Sequence, residues 1–202
     1  MTYTGKPIGL NNLTMWPVTE DTDTAYTVGK PVKLARAIRV QLSPQFAEGL
    51  LESDDGVEDE TTLLTHIDVT IDASQLTEAI RAQLLGHETD AAGGMAMNQT
   101  DAALKIALAF KSLLSKEAGE NKYVHAVLYA GKFQEFSETF ETMTRGGITY
   151  QTHTGLTGRF YPRAIDGDIQ YRLRKDATAD PDNAAKIAAW FEEPQVVGTV
   201  GA

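Results

Sequence analysis

Between Leu64 and Gly86 the hydrophobic period switches once, from two to four. Ile67, Val69 and Ile71 alternate with His66, Asp68, Thr70 and Asp72, the pattern of a strand with one apolar and one wet face. Leu76, Ile80 and Leu84 then recur every fourth residue with Ala79 beside them, which predicts an amphipathic helix over Ser74–Leu85. Asp72 or Ser74 is placed to cap it, and Gly86 to close it in the left-handed conformation. An amphipathic helix among strands needs a sheet face to lie on, so this stretch predicts the core of one compact, mainly β domain.

With 202 residues, 42% of them apolar, the chain can bury a core unaided, and a single domain over 1–202 is the simplest organisation. The absence of cysteine rules out a disulfide scaffold, a thiolate metal site and a cysteine nucleophile. No signal-like segment opens the chain and no run of about 18 apolar residues occurs, so the expectation is a soluble protein first used in a cytoplasm, with no membrane partner. A formal charge of -10 excludes a broad favourable grip on nucleic acid, while permitting contact without adhesion.

Along the chain, Gly5–Asp23 reads as an extended arm with at most a short edge strand, anchored by Leu13, Met15 and Trp16; the arm spans about 1–30. Leu34, Ile38, Val40 and Leu42 share one face of a strand over Leu34–Leu42, with Arg36 at its rim and Pro44 ending it. The run ESDDGVEDE, with Glu52, Asp54, Asp55, Gly56, Glu58, Asp59 and Glu60, cannot be buried and predicts a long solvent loop. It is not a helix-loop-helix calcium site, because Gly56 in the sixth place would put Leu51 where the leading aspartate belongs. His87–Asp101 predicts a second long polar loop.

Strands are then predicted over Leu104–Phe110, with Lys105 and Lys111 among alanines on the outer face, and over Tyr123–Ala130, joined by a hairpin loop at Ser115–Lys122. Two more, Phe136–Met143 and Ile148–Thr154, would turn at Arg145–Gly147. Ile169, Tyr171 and Leu173 alternate with Arg172 and Arg174 outward, and Asp182–Phe191 predicts a short helix sharing Ala184, Ile187, Ala188 and Phe191 on one face. Residues 192–202 read as a flexible tail.

Catalytic signals are missing: there is no paired-histidine metal motif, no Gly-x-Ser-x-Gly elbow and no phosphate loop at Gly29–Lys30. His66, Asp68 and Asp72 project from one strand face, as polar residues on a wet face do by default. Trp16 and Trp190 read as packing anchors, and Gly155–Gly158 as a turn. No enzyme, cofactor or metal is expected. The inventory suits a subunit whose function is its own surface, pairing sheet edges and inserting loops into neighbours.

The run PIGLNNLTMWPVTEDTDTAYTVGKPVKLARAIRVQLSPQFAEGLLESDDGVEDE resembles the major tail proteins of long, non-contractile-tailed bacteriophages, and the similarity continues through LTEAIRAQLLGHE, ALKIALAFKSLL, KYVHAVLYAGKF and SETFETMTRGGITYQT. The chain departs from that family in carrying alanines and charged residues where larger apolar ones are expected. The resemblance implies a tail-tube-type β-sandwich or barrel with one main flanking helix and long loops. It further implies a structural virion protein assembling into six-membered rings stacked as a hollow tail tube, through which double-stranded DNA passes. By the same resemblance its partners are copies of itself and the tape-measure, tail terminator and distal tail proteins. Its place would be the virion tail, reached from the host cytoplasm. A β-sandwich binding module, such as a capsid decoration or receptor-binding protein, is the alternative, as is a tube subunit of a contractile tail or secretion machine.

A passage for a polyanion needs a wall that does not bind it. Six copies would carry roughly sixty excess negative charges, screened by salt over about 8–10 Å. Ring contacts then have to come from strand pairing, apolar patches and cations such as Lys105, Lys111, Arg172 and Arg174. In this scheme the helix with Leu76, Ile80 and Leu84 buttresses the barrel, and the Glu52–Glu60 loop and terminal arms order against a neighbouring subunit.

Overall fold

Strand pairing follows the alternation of apolar side chains, but the ladders run further than that alternation. The computed structural model describes residues 6–34, 36–53, 56–117, 120–140, 142, 153–173 and 181–196. Within them the elements are β1 (Pro7–Asp21), β2 (Tyr26–Val28), β3 (Val32–Lys33), β4 (Ala37–Ser53), β5 (Gly56–Ala73), α1 (Glu78–Leu85), β6 (Glu88–Thr89), β7 (Met95–Ala96), β8 (Ile106–Glu117), β9 (Glu120–Phe133), β10 (His153–Tyr161), β11 (Gln170–Leu173) and α2 (Pro181–Ala189). Nine strands form one sheet in the order β2-β1-β8-β9-β10-β5-β4, with β3 also on β1 and β11 also on β9, and β6 pairs with β7. All of these pairings are antiparallel.

One core gathers Leu13 and Met15 of β1, Ile67, Val69 and Ile71 of β5, Ile106 and Leu108 of β8, Leu128 and Phe133 of β9, and Leu156 and Phe160 of β10. Strands from both ends of the sheet meet there, so the sheet folds over its apolar face; it does not close into a barrel. The expected strand at Leu64–Asp72 is present within β5, with Ile67, Val69 and Ile71 buried. Leu76 and Leu84 belong to the core and Ile80 packs against it, as the helical stripe predicts. Gly86 closes α1 at φ 78°, its N–H bonded to the Ala82 carbonyl. The N-terminal cap is Thr77 instead of Asp72 or Ser74: its hydroxyl accepts from the Ile80 N–H at 3.4 Å. β5 runs on to Ala73, so Asp72 is engaged by the Gly155 N–H at 2.8 Å and Ser74 donates to the Arg36 carbonyl at 3.2 Å.

The opposite face of β8 and β9 is covered as well. Trp16, Ala107, Ala109, Val127, Tyr129, Leu173 and Trp190 form a second buried cluster, with Ile187 and Phe191 packed on it. The small alanines leave room on that face for the Trp190 ring. Both tryptophans are fully buried packing anchors, and Trp190 stacks on Tyr171 at 5.6 Å. The Trp16 indole donates to the Glu192 carbonyl at 3.1 Å and the Tyr129 hydroxyl to the Gln195 carbonyl at 2.8 Å, which binds the start of the expected tail to the sheet.

Other boundaries move for identifiable reasons. Pro7–Asp21 is a 15-residue strand inside the sheet where an arm was expected, because Leu13, Met15 and Trp16 are buried between partners on either side. β4 starts at Ala37 and runs through Pro44, which an edge strand tolerates because it need not donate on its open side. β8 and β9 pair up to Glu117 and Glu120, into the expected Ser115–Lys122 loop. Gly155–Gly158 lies within β10 instead of forming a turn. Phe136–Phe140 is not a strand, whereas Arg145–Gly147 and 148–152 lie outside the described residues. Gly158 faces Phe133 and Gly131 faces Phe160 across the β9–β10 ladder, so each glycine receives a ring; the two rings meet edge-on at 5.9 Å.

Candidate assembly surface

β5 is held by β10 only between Ala73 and Ile67, while its ladder with β4 continues to the Ser53–Gly56 pair. Residues 45–53 and 56–66 therefore project as a two-stranded ribbon about 30 Å long. The expected Glu52–Glu60 loop is largely ladder: Leu50 pairs with Glu60, Leu51 with Asp59, and Glu52 with Val57. Asp54 and Asp55 lie outside the described residues. Acidity forbids burial but not pairing, since carboxylates on a free ribbon stay in water.

Residues paired directly across a ladder share a face. One face of the ribbon carries Phe46 with Leu64, Glu48 with Thr62 and Leu50 with Glu60; the other carries Ala47 with Leu63, Gly49 with Thr61 and Leu51 with Asp59. Phe46, Leu50, Leu51, Leu63 and Leu64 are 58%, 56%, 55%, 63% and 43% exposed. A hairpin without a third strand or a covering layer is marginal in water, and this one is apolar on both sides. Among the described residues nothing covers its large apolar side chains.

Among the described residues β5 is the only ladder partner of β4, so the other edge of β4 carries no ladder, although the start of β1 lies near its first residues. Under that edge lies a groove of about 540 Å³ with Ile38, Val40, Leu42, Phe110 and Val124 among its walls and Arg39 and Arg172 beside them. The wet face of β9-β10-β5-β4 is a mosaic: Lys132, Arg159, Asp68 and Ser43 lie in one row, with Arg159 on Asp68 at 3.1 Å. His66 sits 3.5 Å from Asp68 and against Tyr161, while Asp72 is turned to Gly155, so these three do not converge on one point.

Of the cations named for ring contacts, Lys105 binds Asp21 at 2.8 Å and Lys111 lies over the Tyr123 ring at 4.7 Å, so both work inside the subunit. Arg172 is exposed beside the groove, and Arg174 lies outside the described residues.

A charged cluster that motif reading missed ties α1 to the segment after β9. Arg81 is buried and bonds Glu135 and Glu138, the latter at 2.8 Å. His87 links Asp101 through Nδ1 at 2.7 Å and Glu135 through Nε2 at 2.9 Å. Its hydrogen bond to Glu135, then that to Asp101, holds its pKa above the ordinary value. The expected loop His87–Asp101 is thereby anchored at both ends, and within it Asp90 accepts the N–H groups of Ala92 and Gly94 under the β6–β7 pair. Only the sequence-distant Glu135 and Glu138 complete the cluster, so no local spacing announces it.

No curated protein matches the chain. A family model described as phage tail tube protein matches residues 45–165, from the first residue of the ribbon to beyond β10. That span is more than half of the chain, and the chain belongs to the phage tail tube protein family.

Proposed function

We propose that this chain, a structural subunit of a phage tail, polymerises as six-membered rings stacked into a hollow tube that conducts double-stranded DNA. The observation that carries this reading is the ribbon, a long element with large apolar side chains on both faces that none of the described residues covers. A second copy is the covering agent, and the open edge of β4 lets strands of adjacent copies join into a continuous inner wall. The mosaic face of β9-β10-β5-β4 suits the lumen, because its Arg159 is neutralised by Asp68 and contributes little to a phosphate grip. Helix α1 buttresses the wall through Leu76, Ile80 and Leu84. Assembly begins from monomers in the host cytoplasm, and tape-measure, terminator and distal tail proteins meet the tube.

Replacing Phe46–Thr65 by Asn-Gly closes the ladder at the Gln45–His66 pair with a two-residue turn and removes the whole ribbon. The expected product is a folded monomer that forms no tubes in negative-stain micrographs. Long tubes of normal width from this variant would remove the ribbon from the assembly.

A further inference from the structure

We infer that the groove beneath the open edge of β4 seats the ribbon of a second copy of this chain, with Arg39 and Arg172 of the host opposite Glu48 and Glu60 of the guest. The inference rests on the self-assembly reading above and names the surface that performs it. Three observations converge.

The first is charge segregation. Residues 45–66 hold seven carboxylates and no lysine or arginine, while residues 24–39 hold Lys30, Lys33, Arg36 and Arg39 and no carboxylate. Among the described residues no Asp or Glu lines the groove, nor the adjoining hollow of about 520 Å³ where Lys33 and Arg36 sit. In a chain of net charge -10, four cations around two hollows, Arg39 among them with Asp72 across its ladder, form a surface complementary to an acidic partner.

The second is apolar match. Val40, Leu42 and Phe110 extend the main core into the groove, and Ile38 stands 57% exposed at its mouth, so the core is left uncovered there. Phe46, Leu50 and Leu64 share the ribbon face that also carries Glu48 and Glu60. One face thus offers apolar side chains to the floor and carboxylates to the rim.

The third is reach. Glu48 is nine residues beyond Arg39 on the same extended strand, about 30 Å away, so the ribbon cannot fold back onto its own groove. The guest must come from another copy. Seated reciprocally, two copies would close as a dimer; seated one way, the contact is head-to-tail and propagates as the ring or stack that the self-assembly reading requires.

Two double reversals of exposed residues test this on the full chain: Arg39→Glu with Arg172→Glu, and Glu48→Lys with Glu60→Lys. The first has acidic residues at both groove and ribbon, the second basic residues at both. Each alone should stay a monomer at concentrations about tenfold above those at which the wild type polymerises, measured by sedimentation. A 1:1 mixture should polymerise again, because each ribbon then meets an opposite groove, and raising salt should weaken both this mixture and the wild type. Circular dichroism checks that each variant is folded. Polymerisation of either variant alone at wild-type concentration overturns the pairing, as does a mixture of folded variants that stays monomeric. A wild-type chain that forms no ring or tube overturns the assembly reading itself.

Discussion

Replacing Gly131 by alanine puts a methyl group where the Phe160 ring already lies. The new Cβ would stand 2.5 Å from Cδ1 and 2.6 Å from Cε1 and Cγ of that ring, far inside contact distance. Phe160 is fully buried and edge-on to Phe133, so it has no solvent side to retreat to. Overpacking of a tight core costs about 1–3 kcal/mol, and disturbing the edge-on pair adds about 0.5–1.5 kcal/mol. The reduced freedom of the unfolded chain opposes this by about 0.4–1 kcal/mol, which does not reverse the sign. A net loss of about 2–3 kcal/mol is expected, a fall in Tm of roughly 4–12 °C for a chain of this size. Urea unfolding of Gly131→Ala, Phe160→Leu and the double variant isolates the steric part. Removing the ring first should leave the alanine nearly harmless, with a coupling of at least about 1 kcal/mol. Additivity of the two changes to within about 0.5 kcal/mol would refute ring-over-glycine packing as the reason for Gly131.

His87 carries a pH dependence of defined sign. Its folded pKa is raised by Glu135 and Asp101, so the stabilisation is full below its ordinary value of 6.5 and is lost as pH rises through the folded value. His87→Gln should therefore lose most stability relative to wild type at pH 6 and least at pH 9 in urea titrations; a gap independent of pH would sink the assignment. Trp190→Ala should cost about 3–5 kcal/mol by stripping the cover from the second cluster, and red-shift the emission of Trp16; unchanged emission would mean that Trp190 does not shield it. Thr77→Ala should lower stability by about 1 kcal/mol, read from the same urea curves, with Thr77→Ser retaining most of it.

Period was legible in the sequence and reach was not. Ile67, Val69 and Ile71 announce a strand because one face is buried, and Leu76, Ile80 and Leu84 announce a stripe for the same reason. Where a ladder continues beyond the core, as at Gly56–Glu60, no burial imposes alternation and the residues read as loop. Pro44 misled in a similar way, since its effect depends on whether its strand lies at an edge, a property of sheet order alone. Ala107 and Ala109 read only as the face opposite Ile106 and Leu108, because the segment that covers them, Ile187 to Phe191, lies more than seventy residues on. The assembly surface was half legible: the acidic run was visible, while the groove needs β4, β8 and β9 brought together.

A strand edge without a ladder partner is a hazard as well as a means of assembly, since it offers backbone groups to any extended chain. This edge is interrupted. Register shifts between Ala37 and Arg39, Gln45 and Phe46, and Leu51 and Glu52 break it, and Pro44 removes one donor. A partner strand sliding along such an edge finds short matched stretches separated by mismatches, so few registers satisfy many bonds at once. The carboxylates of the ribbon repel other ribbons in the parallel approach that aggregation would use. Edge-to-edge association of like with like is thereby disfavoured, while association of a ribbon with a cation-rimmed groove is not. The same residues that keep free subunits apart also fix which surface they meet when they join.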